Sequence, residues 1–171
     1  MKKSWIFITA ISVIALGCAE EKHKSAKTNP EQVQQVVPEI KVMKGEKQIV
    51  ELTLGSNDQM KYDQKELRVP ADSKVILTLK HNGTMPKQAM GHNFVLLKAG
   101  TDLAAFGAEA VAAGIENEHV PDSEAVIAHT GLIGGGEQSS VTFDAPSRGR
   151  YDFICSFPGH YALMKGTLIV E

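Results

Sequence analysis

The chain has 171 residues, with 18 Lys and Arg against 20 Asp and Glu and a formal charge of −2. So small an imbalance excludes the basic surface that a nucleic-acid binder needs. There are two cysteines, so once either is committed to other chemistry no structural disulfide can form.

The N-terminus reads as an export signal. Lys2 and Lys3 precede an apolar run from Trp5 to Leu16 that ends in small residues, too short to stay in a bilayer as a spanning helix. Ala15-Leu16-Gly17-Cys18 resembles a bacterial lipobox, in which the cysteine is acylated and becomes the first mature residue. Ala15 stands where that pattern most often has Leu. The alternative is ordinary cleavage near Gly17, which would leave Cys18 as an exposed reactive thiol. Residues 1–17 are thus expected to be a lipoprotein-type signal peptide. Without Lys2 and Lys3, 16 basic residues face 20 acidic ones, a mature charge of −4.

Residues 18–45 are rich in Glu, Lys, Gln and Pro and read as a solvated tether joining lipid to domain. A helix over 31–37 is the alternative, but it is too short to be stable alone. From 46 to 171 short β-branched segments recur between turn residues, at 48–54, 67–69, 75–79, 93–97, 126–128, 140–143, 151–156 and 166–170. Many short strands at such spacing predict an all-β sandwich or barrel. One insertion breaks the rhythm: Thr101 can cap a helix with Leu103, Phe106, Ala110 and Val111 at helical spacing and Gly114 to end it. The expected result is a helical flap on a β body.

The chemistry is concentrated in the last strand-to-strand loop. Residues 155–164 read CSFPGHYALM, so Cys155, His160 and Met164 share one tight turn, and His92 is available from Gly91-His92-Asn93. A thiolate, two imidazoles and a weak thioether suit a one-electron copper site, trigonal in its strong ligands with a long axial sulfur. Taken singly, Cys155 could be a small buried hydrophobe, the histidines satisfied polar groups, Met164 core filling and Gly91 a turn glycine. With Cys155 ending one strand and His92 preceding another, the four donors are expected at one pole of the sandwich.

These motifs resemble the azurins, cupredoxins of bacterial electron transfer. The resemblance covers about residues 46–171, through segments 55–60, 126–130, 132–137, 140–144 and 157–168 in the same order. It implies a cupredoxin-type Greek-key β-sandwich holding one type 1 copper ion by His92, Cys155 and His160, with Met164 and the Gly91 carbonyl as axial contacts. It also implies that Asn93 ties the two ligand loops together and that the Phe157 N–H points at the thiolate. Met60, Met85, Ala89, Met90, Phe157, Pro158 and Leu163 correspond to an exposed apolar docking patch around His160, although by composition alone they would be core. His81 and His129 match non-ligand positions, the first partly buried near the site and the second more exposed. Departures are Ser156 for Thr, Tyr161 for a small residue, Phe94 for Trp, and Val50 and Ser73 where azurins usually carry a disulfide.

The expected function is a blue copper electron carrier in the bacterial periplasm or cell envelope, held to a membrane by lipid on Cys18. It would exchange single electrons with redox proteins such as a c-type cytochrome or a terminal reductase or oxidase, with no small-molecule substrate and no nucleic acid. Copper oxidases and nitrite reductases are the enzymatic rival, but they need a second copper with further histidines. A copper carrier or a zinc site on the same ligands is the binding-module rival.

Overall fold

The computed structural model describes residues 39–41 and 47–171. The expected signal segment, Cys18 and all of the 18–45 tether except residues 39–41 lie outside the described residues. In chain order the elements are β1 (Glu39–Lys41), β2 (Ile49–Asn57), β3 (Lys61–Tyr62), β4 (Glu66–Val69), β5 (Lys74–His81), α1 (Lys87–Met90), β6 (Val95–Leu97), α2 (Leu103–Ala113), a 3₁₀ turn (Ile115–Asn117), β7 (Val126–His129), β8 (Gln138–Asp144), β9 (Gly149–Ile154) and β10 (Lys165–Val170). They form two five-stranded sheets. The first has the order β1-β2-β5-β8 with β3 also paired to β2, and the second has the order β4-β10-β9-β6-β7.

Side-chain alternation explains the stacking of the sheets. Val50, Leu52 and Leu54 of β2 lie in register with Val75, Leu77 and Leu79 of β5, and all six are buried. Leu67 and Val69 of β4 match Leu168 and Val170 of β10 in the same way. Every second residue therefore faces the opposite sheet, as the period of a strand dictates. Between the sheets the Phe94 and Phe153 rings lie 5.2 Å apart, with Tyr62 5.6 Å from Phe153. Strands β2 and β5 are parallel neighbours and cannot be joined by a tight turn. The chain crosses to the second sheet as β4 before returning as β5, which gives the Greek-key path. This is the all-β sandwich with a helical flap that the sequence predicts.

The positions that usually carry a bridge in azurins are filled differently. Val50 packs in the core opposite Val75, and the Ser73 hydroxyl donates to the Pro70 carbonyl at 2.7 Å. Cys155 is the one free cysteine among the described residues.

Several local expectations need correction. The N-cap of α2 is Asp102, whose carboxylate accepts from the Ala104 and Ala105 N–H groups at 2.9 and 3.1 Å. Thr101 instead donates its hydroxyl to the Lys98 carbonyl at 2.8 Å. A carboxylate also suits the positive end of a helix better than a hydroxyl does. Phe106 and Ala110 are buried as expected, but Val111 is 54% exposed because the helix rests on a narrow stripe. Gly114 does end the helix, at φ +73°. Strand β9 stops at Ile154, so Cys155 follows the strand rather than ending it. Strands β1 and β3, helix α1 and the 3₁₀ turn have too few residues to show a period, and β1 lies within the segment read as tether.

Candidate metal centre

Topology brings the two ligand segments together. Strands β6 and β9 are antiparallel neighbours, with Val95 opposite Ile154. The start of β6 therefore lies beside the end of β9, and His92 and Cys155, which are 63 residues apart, emerge at the same pole of the sandwich. His92 is locked by a reciprocal bridge, its N–H to the Ile133 carbonyl and the Ile133 N–H to its own carbonyl, both at 2.9 Å.

The 155–164 loop closes on itself. The His160 N–H donates to the Phe157 carbonyl at 3.0 Å across Pro158 and Gly159, and Gly159 has φ +81°. Proline followed by a glycine at positive φ is the signature of a type II turn. The Met164 N–H then reaches the His160 carbonyl at 2.8 Å, and the Cys155 N–H reaches the Met164 carbonyl at 2.9 Å. Ten residues thus form a closed ring of backbone bonds with three of the expected donors on it.

The donor atoms meet. Cys155 Sγ lies 3.6 Å from His160 Nδ1, 3.9 Å from His92 Nδ1 and 3.8 Å from the Gly91 carbonyl oxygen. Metal bonds of about 2.0–2.3 Å at 120° place neighbouring donors about 3.5–3.9 Å apart, so both sulfur–nitrogen spacings fit one first-row ion bound between them. The fit is also chemical: thiolate and imidazole suit copper. His92, Cys155 and His160 are the one such cluster of His, Cys and carboxylate groups among the described residues. Met164 has no exposed surface and shares the core cluster with Cys155.

Surrounding groups fix how the donors present themselves. The His92 Nε2–H donates to the Asn57 carbonyl at 2.9 Å, which leaves the Nδ1 lone pair for a metal. The backbone N–H groups of Asn93 and Phe157 lie near enough to the Cys155 sulfur to favour its ionised form. The Asn93 side chain links the loops as expected: its Oδ1 accepts the Ser156 N–H at 2.9 Å, and its Nδ2 donates to the Ser156 hydroxyl at 2.9 Å and the Glu118 carbonyl at 3.0 Å. Tyr62 is anchored to the same segment through its hydroxyl, which donates to the Asn93 carbonyl.

Burial sets the protonation of the donor side chains. It pushes the Cys155 thiol up to about 12, against the pull of the two N–H groups. His160 is lowered to about 4 by burial first and then by the neighbouring His92 and His81, and His92 is lowered mainly by burial. The imidazoles are therefore neutral and ready to donate, whereas the thiol must give up a proton to bind a cation.

His81 is more closely involved than its expected partial burial suggests. It is 2% exposed and stacks on the His92 ring at 4.4 Å and 18°. Its Nδ1 accepts the Gly83 N–H, so Nε2–H donates to the Met90 carbonyl, both at 3.0 Å. His129 is exposed, as expected.

Of the expected patch, Leu163 is 63% and Met85 37% exposed, and Ala89 is also exposed. Met90, Phe157 and Pro158 are half-buried, and Met60 is half-buried against the core. The Phe157 ring lies 4.7 Å from His160, itself 4% exposed. Asn57, Glu118 and His119 were not singled out by sequence. The first two act through backbone carbonyls, which every residue carries, and His119 acts by an edge contact to Phe157 at 5.3 Å.

The chain is similar to a set of known proteins. The profile described as copper binding proteins, plastocyanin/azurin family, matches residues 48–171. Azurin of Pseudomonas fluorescens biotype C is 42% identical over 125 residues, 70% of this chain and 97% of that protein. Azurin-1 of Alcaligenes xylosoxydans xylosoxydans is 46% identical over 120 residues, 67% of this chain and 92% of that one. Among solved structures, an azurin (Az-iso2) of Methylomonas sp. strain J aligns with TM-score 0.65 and 40% identity, covering 71% of this chain and 97% of its own. Auracyanin A of Chloroflexus aurantiacus, described as a "blue" copper protein, aligns with TM-score 0.67 and 33% identity, over 72% and 99% of the two chains. With the sandwich, the three converging donors and these relatives in agreement, the chain belongs to the plastocyanin/azurin family of copper-binding proteins.

Proposed function

We propose that this protein is a blue copper electron carrier, and that His92, Cys155 and His160 hold one copper ion with Met164 as the weak axial donor. The observation that carries this reading is the convergence of a thiol and two imidazoles, with the two Nδ1 atoms 3.6 and 3.9 Å from the sulfur. Bound copper would supply a one-electron couple. The chain's residues do the rest: the bridge at Ile133, the Asn57 carbonyl and the closed 155–164 ring hold the donors in place, so little need move when charge changes. The N–H groups near the sulfur stabilise negative charge there and tune the couple. Burial of Cys155, His92 and Met164 keeps water out.

His160, beside Phe157 and close to exposed Leu163, is the donor we assign as the exit route. The Gly91 carbonyl oxygen, 3.8 Å from the sulfur, would be a further contact to the ion. Met60, Met85, Ala89, Met90, Pro158 and Leu163 would surround the docking spot, a small contact suited to transient partners. The partners we propose are redox proteins, a c-type cytochrome or a terminal reductase or oxidase, with no substrate turnover by this chain itself. We further propose export to the periplasm or cell envelope and acylation of Cys18, on the strength of the charged, apolar and small-residue order of 1–18.

Two measurements test this reading. The copper-loaded protein should show an intense blue thiolate-to-copper band and a reversible one-electron titration, and Cys155→Ser should abolish the band. A blue Cys155→Ser variant, or a parent that binds zinc but shows no redox titration with copper, would overturn the assignment. Mass spectrometry of membrane fractions should find acylated Cys18. An unmodified cysteine there would remove the anchor from the proposal.

A further inference from the structure

The flap makes an unexpected contact with the ligand loop. Gly107 is buried in the middle of α2, where a glycine costs about 0.5–1 kcal/mol relative to alanine. Its backbone does not require glycine, since its φ is not positive. What requires it is Tyr161. A Cβ at position 107 would lie 2.7 and 2.8 Å from Cε1 and Cδ1 of that ring and 3.2 Å from Cζ. The ring is pressed directly onto the helix backbone, and no larger residue fits beneath it.

Tyr161 lies between two donors in the chain, directly after His160 and three residues before Met164. Its ring packs against a small cluster formed by Val95, Leu97, Phe106 and Ile154. Val95 and Ile154 are the paired residues at the β6 and β9 ends that carry the two ligand segments. The same flap meets the metal loops twice more, through the His119 ring on Phe157 at 5.3 Å and the Glu118 carbonyl on Asn93 Nδ2 at 3.0 Å. Elsewhere on this stretch Leu163 is 63% exposed and Met164 is held in the core, so packing on the flap is a second restraint from outside the loop's own backbone ring.

We propose that Tyr161 is a positioning residue that clamps the His160–Met164 arc onto the flap at Gly107, making the flap part of the metal centre. The inference rests on the copper reading above. The ring's flat contact, rather than its hydroxyl, does the work: it limits outward swing of the loop and so holds His160 Nδ1 and the Met164 thioether against the thiolate.

The test uses the full chain loaded with copper. The variants are Tyr161→Phe, Tyr161→Ala, Gly107→Ala, the Gly107→Ala/Tyr161→Ala double variant, and Val126→Ala as a control in the same cluster without a ligand-loop residue. Copper hyperfine splitting by electron paramagnetic resonance and the rate of copper loss to a chelator are measured, with the thermal midpoint of the metal-free form alongside. Tyr161→Phe should match the parent. Tyr161→Ala and Gly107→Ala should change the splitting and speed copper loss about ten- to a hundredfold, the scale for groups that orient metal ligands. The added methyl should do little further harm once the ring is gone, so the double variant should resemble Tyr161→Ala alone. Val126→Ala should lower the thermal midpoint and leave the splitting unchanged. A Tyr161→Ala protein with the parental splitting and loss rate, or a Val126→Ala protein that reproduces its changes, would overturn the clamp. A parent without a blue band would overturn the copper reading and the clamp together, whereas a blue parent with silent variants overturns the clamp alone.

Discussion

Replacing Asn93 by Ala should loosen the site and the fold at once, and the cost can be worked from the bonds lost. Asn93 has no exposed surface. Its Oδ1 is the acceptor for the buried Ser156 N–H at 2.9 Å, and its Nδ2 serves the Ser156 hydroxyl and the Glu118 carbonyl. The Glu118 carbonyl bond is only part-buried, whereas the buried Ser156 hydroxyl would lose its partner and the Ser156 N–H would be orphaned inside the protein. An unmet buried donor costs about 1–3 kcal/mol and the bond lost at the buried hydroxyl about 0.5–1.5 kcal/mol, so the variant should lose about 2–4 kcal/mol. For a domain of this size that is a fall of about 6–16 °C in the thermal midpoint of the metal-free protein. Ser156→Ala, which removes the hydroxyl but keeps the N–H bond, should cost about 1 kcal/mol. Calorimetry of both variants measures the midpoints, and the copper hyperfine splitting of the loaded proteins reports on the site. A midpoint for Asn93→Ala within about 2 °C of the parent, or equal to that of Ser156→Ala, would refute the view that this amide is the tie between the loops.

Met164→Leu should keep the blue band and raise the reduction potential by on the order of 60 mV, because a weak donor to the oxidised ion is lost while the three strong ones remain; cyclic voltammetry decides, and an unchanged potential would remove Met164 from the axial position. Copper loading between about pH 6 and 9 should release one proton per ion, since the Cys155 thiol at about 12 must ionise while His160 at about 4 has already lost its proton. Affinity should then rise about tenfold per pH unit across that window, and a calorimetric titration in buffers of different ionisation enthalpy that finds no proton released would contradict the buried neutral thiol. Leu163→Glu should leave the colour intact, because the side chain is 63% exposed. It should slow electron self-exchange about tenfold or more by placing a charge in a contact that must dehydrate, and nuclear magnetic resonance line broadening that is the same as in the parent would show that electrons leave by another face.

The sequence by itself determined the parts that depend on short range. Strand alternation fixed the layers, as in the 75–79 segment that became the centre of β5. The Pro158-Gly159 pair fixed the turn that brings Cys155, His160 and Met164 onto one loop, because proline sets one dihedral and glycine allows the next whatever surrounds them. Gly114 fixed the end of the flap helix for the same local reason. Only the tertiary structure decided what meets across the sandwich. The pairing of β6 with β9 delivers His92 to a thiol 63 residues away, and the choice of its Nδ1 rests on a carbonyl of Asn57 that no side-chain pattern marks. The stacking of His81 on His92 and the seating of Tyr161 on Gly107 are likewise set by packing between distant segments. The misreadings have the same origin. Val111 fits a helical stripe but faces solvent because the sheet beneath offers a narrower bed than the period allows, and Asp102 displaced Thr101 as cap because the backbone's exit from β6 decides which residue reaches the free N–H groups. Local rules act through a residue's own dihedrals and nearest neighbours, whereas the metal centre is assembled from loops whose approach is set by the register of strands far apart in the chain.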